Sequence, residues 1–201
     1  HVDPSIPIRL YIHTQMKRER DLYADIDELG IGDIVVYPEP YIMDTGGVGE
    51  KEMVMIFNCA DVVLNCSFEG FGLAMTQAQA VGVPVVYLLE GPGPELIQNG
   101  VGVPPLANIT AANLMTRPIP NPMAIADALS ELWKRRKVNG KPLRSEKAVK
   151  FVQENLGWPK ITEQWIQVID KVMWEREHYC YDIPKHSQEL VERANAQVTL
   201  E

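Results

Sequence analysis

The amino-acid sequence predicts an α/β fold in which helices cover both faces of a parallel sheet. Short apolar runs alternate with segments of helical periodicity, the links between them are short, and several predicted helices end at a glycine. The 201 residues carry a net charge of −8, and 46% of them are hydrophobic. This composition is typical of a chain that buries a core. The acidity argues against nucleic-acid binding, which depends on Lys and Arg.

The first elements follow in order from the amino terminus. Residues 8–12 form an apolar run suited to a buried strand, and a helix with apolar residues at helical spacing follows and ends at Gly30. The run 34–37 predicts a second strand. A loop containing proline and glycine, 38–49, then leads to a helix whose apolar face ends at Ala60.

The central elements repeat this order of strand and helix. Residues 61–66 predict the third strand, and a glycine-containing turn leads directly into a helix over 73–81. Residues 84–88 predict the fourth strand, with a proline at its first position, where it removes no hydrogen bond from the ladder. A short helix, 95–98, and a short last strand, 101–103, follow.

The remainder of the chain is predicted to be helical. Asn121 followed by Pro122 is a strong signal for a helix start. A second helix is expected to begin at Ser145 and end at Gly157, and apolar residues at helical spacing over 161–172 predict a third.

The turn after the third predicted strand combines a carboxylate with two glycines, at the edge of the sheet where ligands bind. Glu69 lies on this turn, and Gly70 and Gly72 allow the backbone to approach a ligand closely. The N–H groups of Gly72 and of Leu73–Ala74, together with the helix dipole, form a candidate phosphate site. Gln77 lies about one helical turn further along and can face the same crevice.

This segment resembles the donor-binding signature of retaining nucleotide-sugar glycosyltransferases of the GT-B type, group 1 (family 4-like). That signature contains Glu-Gly-Phe-Gly-Leu, found here at 69–73, followed by Ala-x-Ala-x-Gly-x-Pro-Val-Val, found here at 78–86. The start of a strand at 60–62 and a Gly-rich loop with a glutamate at 91–95 also match the family. The similarity covers most of the chain, over about 8–172.

The resemblance implies that the chain is the carboxyl-terminal, donor-binding half of a GT-B enzyme, built on a Rossmann-like sheet. Such an enzyme passes a sugar from a nucleotide sugar to an acceptor hydroxyl with retention of configuration, and it needs no metal or other cofactor. Glu69 would be the catalytic residue near the donor sugar, with the diphosphate on the turn. The implied donor-binding residues are Gly70, Phe71, Gly72, Leu73, Ala74 and Gln77.

The resemblance also implies domain boundaries and partners. Residues 1–175 would form the Rossmann-like donor-binding domain, 176–199 a helical tail and 200–201 a remnant of a purification tag. Because the chain opens with His1, we expect a trimmed piece of a longer polypeptide, inactive without its amino-terminal acceptor domain. The implied partners are a nucleotide-sugar donor and an acceptor that is a glycan, a lipid-linked molecule or a small molecule, with no nucleic acid.

Two departures from the family pattern concern the expected site. The signature has a second Glu eight residues after the first, and here that position is Gln77, which forms hydrogen bonds without the charge-assisted strength of a carboxylate. The family's domain also opens with a strand and a Gly-Arg…Lys-Gly loop, and the residues before Ile8 contain neither. Without that strand, a gap would lie between the strands at 8–12 and 61–66. We therefore predict that the strand exists in the intact protein, or that something else occupies the gap.

Alternative interpretations stand beside this one. A nucleotide-sugar epimerase shares the two-domain architecture, and a non-catalytic relative would keep the fold as a binding module. Glu69 can be a solvated turn carboxylate near a helix N-terminus, and His13 can be a loop histidine without a role in a site. Lys17, Arg18 and Arg20 can reach a phosphate or form a solvated helix start. Residues 134–150 hold eight basic residues and one acid, a cluster that suits weak contact with an anionic membrane or a solvated helix junction.

The cysteines indicate a reducing compartment. Cys59, Cys66 and Cys180 are an odd set without a C-x-x-C pair, and the spacing and histidine partners of a zinc site are missing. We interpret them as reduced thiols in a cytoplasmic protein.

Overall fold

A computed structural model describes residues 7–67, 69–110 and 116–178. The amino-terminal half of this part contains β1 (Leu10–Tyr11), α1 (Leu22–Glu28), β2 (Val35–Val36), α2 (Pro40–Asp44), α3 (Glu50–Cys59), β3 (Val63–Asn65), α4 (Leu73–Ala80), β4 (Val85–Leu88) and α5 (Gly93–Leu96). The carboxyl-terminal half contains β5 (Gly100–Val103), β6 (Ala107–Thr110), β7 (Thr116–Ile119), α6 (Pro122–Asn139), α7 (Glu146–Asn155) and α8 (Trp158–His178). The predicted strands and helices are present in the predicted order, and most of the strands are shorter than predicted.

The strands form two parallel sheets and one antiparallel hairpin. β1 pairs in parallel with β2, while β3, β4 and β5 form a parallel sheet in that order. Within the residues that the structure describes, β1 and β3 do not pair with each other, in agreement with the predicted gap between them. The predicted α/β class, with parallel sheets and helices, is confirmed.

The prediction that only helices follow β5 is wrong. β6 and β7 form an antiparallel hairpin before α6, with Asn108 opposite Pro118. Residues 107–110 alternate apolar and polar side chains, but the run is only four residues long and all four are exposed, so it gives a weak strand signal. Pro118 further obscures the signal, since proline argues against a strand except at an edge. The short helix α2 was also missed, within the segment predicted as a loop.

Buried side chains cover both faces of β4, the central strand of the three-stranded sheet. Val85 packs in one cluster with Met75 and Ala78 of α4, while Val86 packs in another with Ala128 and Leu132 of α6. Successive residues of a strand point to opposite faces, so Val85 and Val86 bring a helix to each side.

The strand predicted at 8–12 is less buried than its apolar sequence indicates. Leu10 and Tyr11 of β1 each expose 38% of their surface, and Val36 of β2 exposes 48%. Because β1 has only β2 as a partner in the described structure, its other edge is not covered by a paired strand.

A buried glutamine fastens α4 to the end of α5. The Gln79 side chain has no exposed surface; its Nε2 donates to the Leu96 carbonyl at 2.8 Å, and its Oε1 accepts from the Gln98 backbone N–H at 2.6 Å. A buried amide with both ends satisfied fixes the register between the two elements. Sequence periodicity did not reveal this role.

The chain divides into two compact units, His1–Val152 and Gln153–Glu201. The predicted boundary at residue 175 remains a prediction, and most of the predicted tail 176–199, together with 200–201 and Cys180, lies outside the described residues. In the second unit, α8 exposes a series of apolar side chains: Trp158, Trp165, Ile166, Val168, Ile169, Val172, Met173 and Trp174. Across the described ranges, no helix has the length and apolar character needed to span a membrane.

Candidate functional site

The turn between β3 and α4 holds a carboxylate in a network of hydrogen bonds. Asn65, the last residue of β3, is buried, with 8% of its surface exposed. Its Nδ2 donates to Oε1 of Glu69 at 3.2 Å, and the Ser67 hydroxyl lies 2.7 Å from the same oxygen. The strand end therefore positions the one carboxylate of this turn.

Helix α4 begins immediately after this turn without a side-chain cap. Its N-cap is Gly72, in the left-handed conformation at φ 84°, and within the part of the chain that the structure describes no side chain caps the first-turn N–H groups. The first backbone bond of the helix runs from the Thr76 N–H to the Gly72 carbonyl. N–H groups at such an uncapped helix start bind an anion favourably.

The loops after β3 and β4 lie against each other at the carboxyl edge of the sheet. A Cβ placed on Gly91, in the loop after β4, would lie 3.6 Å from the backbone oxygen of Glu69. The preceding residue, Glu90, accepts a hydrogen bond at 3.0 Å from Asn108 of the hairpin. Three segments that are distant in sequence thus meet at this edge, as parallel-sheet topology predicts for a site.

The remaining predicted donor-binding residues have varied surroundings. Around Gly70, no atom of the described residues other than its chain neighbours lies within 4 Å of the position of a Cβ. Phe71 and Leu73 expose 46% and 67% of their surfaces, and Ala74 is partly buried. Gln77 is exposed on α4, and among the described residues no hydrogen bond joins it to Glu69. Whether these residues bind a donor stays a prediction.

A cavity of about 420 Å³ lies at the carboxyl ends of β1 and β2. Its lining residues are His13, Thr14, Gln15, Arg18, Met43, Gly46, Gly47 and Val48. The Tyr11 hydroxyl lies 2.9 Å from Nδ1 of His13, and burial raises the pKa of that tyrosine. The side chain of Gln15, in the lining, donates a hydrogen bond from Nε2 to Oδ1 of Asp44 at 3.1 Å.

Two of the cations that follow His13 are held by neighbouring carboxylates. Lys17 forms an ion pair with Asp21 at 3.0 Å, and Arg20 forms a two-pronged pair with Asp25. Hydrogen bonds from these cations lower the pKa of both carboxyls. Their interpretation as parts of a helix start is therefore favoured over a role in phosphate binding.

Cys66 lies beside the site and carries a partly buried thiol. Its Sγ is 3.9 Å from the Val86 carbonyl, and burial raises its pKa to about 11. Within the described residues, no cluster of three or more His, Cys, Asp and Glu side chains has an arrangement that holds a metal ion.

Comparison with known proteins identifies the family. Residues 8–135, most of the chain, match the family described as Glycosyl transferases group 1. The chain belongs to this family. As a group 1 glycosyltransferase it has the GT-B type of architecture seen in its structural neighbours, and the recognition made from the 69–86 segment is confirmed.

The curated relatives of this glycosyltransferase cover a limited part of it. A D-inositol 3-phosphate glycosyltransferase of Mycobacterium sp. (strain KMS) is 35% identical over 82 residues, which are 40% of this chain and 17% of that protein. A protein of the same name from Streptomyces griseus is 37% identical over 75 residues, 37% of this chain and 14% of that protein. The chain therefore matches less than a fifth of the length of these relatives.

Two solved structures share the fold of the glycosyltransferase chain. Sucrose-phosphate synthase from Thermosynechococcus elongatus aligns with a TM-score of 0.60 at 20% identity, covering 82% of this chain and 38% of that one. A glycosyltransferase from Rickettsia africae ESF-5 aligns with a TM-score of 0.61 at 15% identity, covering 83% and 40%. At these identities the likeness establishes the fold alone.

The turn of this glycosyltransferase differs from the family signature in one further respect. The signature places a serine three residues before its glutamate, whereas Ser67 lies two residues before Glu69 and Cys66 occupies the third position. Asn65, which bonds the carboxylate, was missed, because no local pattern marks a strand residue whose partner lies four residues further on.

Proposed function

We propose that this chain is the donor-binding half of a retaining glycosyltransferase that takes a nucleotide sugar as donor. The observation that carries this proposal is the turn after β3, where Glu69 lies beside the uncapped start of α4. A carboxylate and free backbone N–H groups on one turn suit the two ends of a nucleotide sugar. The sugar hydroxyls bind to the carboxylate, and the diphosphate binds to the N–H groups.

The proposed reaction follows from the binding of the sugar to Glu69 and of the diphosphate to the backbone N–H groups. The bond between sugar C1 and the diphosphate oxygen breaks, and C1 forms a bond to the oxygen of the acceptor hydroxyl on the same face of the ring. The proton of that hydroxyl passes to the leaving diphosphate. Negative charge grows on the leaving diphosphate, where the Gly70–Ala74 backbone and the dipole of α4 stabilise it. Glu69 stabilises the sugar as positive charge develops at C1. No step requires a metal ion.

Kinetics on the intact gene product test this function. We expect release of nucleoside diphosphate and transfer of the sugar from one member of a panel of UDP, GDP and ADP sugars, with activity retained in EDTA. NMR of the product reports whether the anomeric configuration is retained. Glu69→Gln should lower kcat strongly while nucleoside diphosphate binding persists. Glu28→Gln, a matched change at an exposed position of α1, is the control and should have no effect.

The alternatives give distinct results in the same experiment. Nucleoside diphosphate binding without transfer or hydrolysis of any donor would indicate the non-catalytic relative, which Gln77 favours through its missing carboxylate. A free epimeric nucleotide sugar would indicate the epimerase. Equal activity of Glu69→Gln and Glu28→Gln would remove Glu69 from the site.

A further inference from the structure

The two oxygens of the Glu69 carboxylate have different surroundings. Oε1 is within hydrogen-bond distance of Asn65 Nδ2, at 3.2 Å, and of the Ser67 hydroxyl, at 2.7 Å. Oε2 has no hydrogen bond from the described residues, and it would lie 3.5 Å from a Cβ placed on Gly72, the N-cap of α4. One oxygen is therefore engaged by the protein, and the other is left at the helix start.

Asn65 and Ser67 are also bonded to each other, so the carboxylate is held by a closed set of groups. Asn65 Oδ1 accepts from the Ser67 backbone N–H at 3.4 Å. The Ser67 hydroxyl oxygen lies 2.9 Å from the same Oδ1, and its single proton is donated to the closer Glu69 Oε1. An amide serves here because it offers a donor to the carboxylate and an acceptor to the serine in one rigid plane. Asp at this position would keep the acceptor but remove the donor and add a like charge.

We propose that Asn65 is a positioning residue that, with Ser67, orients Glu69 so that Oε2 is presented to a hydroxyl of the donor sugar. This role rests on the function proposed above. A carboxylate fixed by two donors needs no reorganisation when charge develops on the sugar, and such preorganisation contributes directly to rate. Burial of Asn65 in the last position of β3 gives the arrangement a rigid support.

Kinetics and a double-mutant cycle in the intact gene product test this role. Asn65→Asp should lower kcat about tenfold to a hundredfold, the effect of losing one hydrogen bond to a charged group, while the Kd for UDP or GDP changes little. Ser67→Ala should act in the same direction, and Ser67→Thr, which keeps the hydroxyl, should restore most of the rate. In a Glu69→Ala background, Asn65→Asp should cause no further loss, because it acts through the carboxylate.

Controls separate positioning from a general effect on folding. Asn58→Asp makes the same chemical change at an exposed amide whose Nδ2 bonds to Val54 within α3, and it should leave kcat unchanged. Thermal unfolding of each variant reports on the fold. A purely structural Asn65 would lower kcat, nucleoside diphosphate binding and melting temperature together.

Each further outcome discriminates between the two proposals. If Asn65→Asp keeps the wild-type kcat, or lowers it equally with and without Glu69, the positioning role is overturned although the proposed function stands. If Glu69→Gln has wild-type transfer activity, the proposed role of Glu69 fails and the positioning role fails with it.

Discussion

The two glycines of the β3–α4 turn offer the sharpest test of donor binding, because the structure assigns them different constraints. Gly70 has open space, among the described residues, at the position of a Cβ, whereas Gly72 has φ +84° and a Cβ there would overlap the Met75 terminal methyl. A valine at Gly72 would therefore disturb the fold whether or not a ligand binds nearby. Gly70→Val therefore tests ligand binding, whereas Gly72→Val tests the structural constraint on the turn.

The expected magnitudes differ accordingly. A side chain at the left-handed position of Gly72 costs about 1–3 kcal/mol, and the buried Met75 must move in addition. At about 2–4 °C per kcal/mol, the melting temperature should fall by about 2–12 °C. Gly70→Val should change the free energy of unfolding by no more than about 1 kcal/mol. If the diphosphate lies on the turn, the valine blocks it and binding should weaken at least about tenfold, equivalent to one lost charged hydrogen bond.

Calorimetric titration with UDP, GDP and ADP, paired with thermal unfolding, measures both quantities on the intact gene product. The expected result is that Gly70→Val melts like the wild type but loses affinity for the nucleoside diphosphate. Wild-type affinity in Gly70→Val would refute the placement of the diphosphate on this turn. A large loss of stability in the same variant would refute the structural account of an open Gly70.

Three further predictions concern other described residues. Gln77→Glu should tighten nucleoside diphosphate binding by about 1 kcal/mol if the side chain reaches the ribose, and calorimetry showing no change would remove it from the site. Gln79→Met should lower the free energy of unfolding, measured in urea, by about 2 kcal/mol, because the buried Leu96 carbonyl and the partly buried Gln98 N–H lose their partner. The exposed Cys59 should react with a thiol reagent at pH 8. Cys66 should react more slowly than Cys59, because only the thiolate reacts and burial keeps the Cys66 thiol protonated below its pKa of about 11. Its reaction rate should rise as the pH approaches that value. Equal rates for the two cysteines, measured by peptide mass spectrometry, would contradict this.

The sequence predicts best the segments where local and long-range requirements agree. The β3–α4–β4 region has apolar strands, a glycine turn and a helix stop, and each appears in the structure close to its predicted position. The start of α6 is equally local, since the Asn121 side chain accepts from the N–H groups of Met123 and Ala124. In such segments the nearest neighbours in sequence already supply the structural partners.

Contacts between distant segments account for what the sequence did not predict. The Gln79 side chain bonds to residues 17 and 19 positions away, and nothing in its own helix distinguishes it from the exposed Gln77. The hairpin residue Asn108 finds Glu90 across 18 positions. Periodicity reports which face of an element is buried and contains no information about the partner of a polar side chain.

The backbone hydrogen bonds of the two parallel sheets show which strand edges lack a partner. The N–H groups of Leu10 and Ile12 donate to the carbonyls of Ile34 and Val36, so alternation directs the backbone groups of Tyr11 to the other edge of β1. In the same way, the N–H of Val63 donates to the carbonyl of Pro84, immediately before β4, and the backbone groups of Leu64 face the outer edge of β3. The described structure pairs neither edge with a strand, and unpaired parallel edges that are apolar are costly. The sheet order thus supports the prediction of a strand between them, which would also bring the Glu69 turn and the cavity beside His13 to one continuous carboxyl edge.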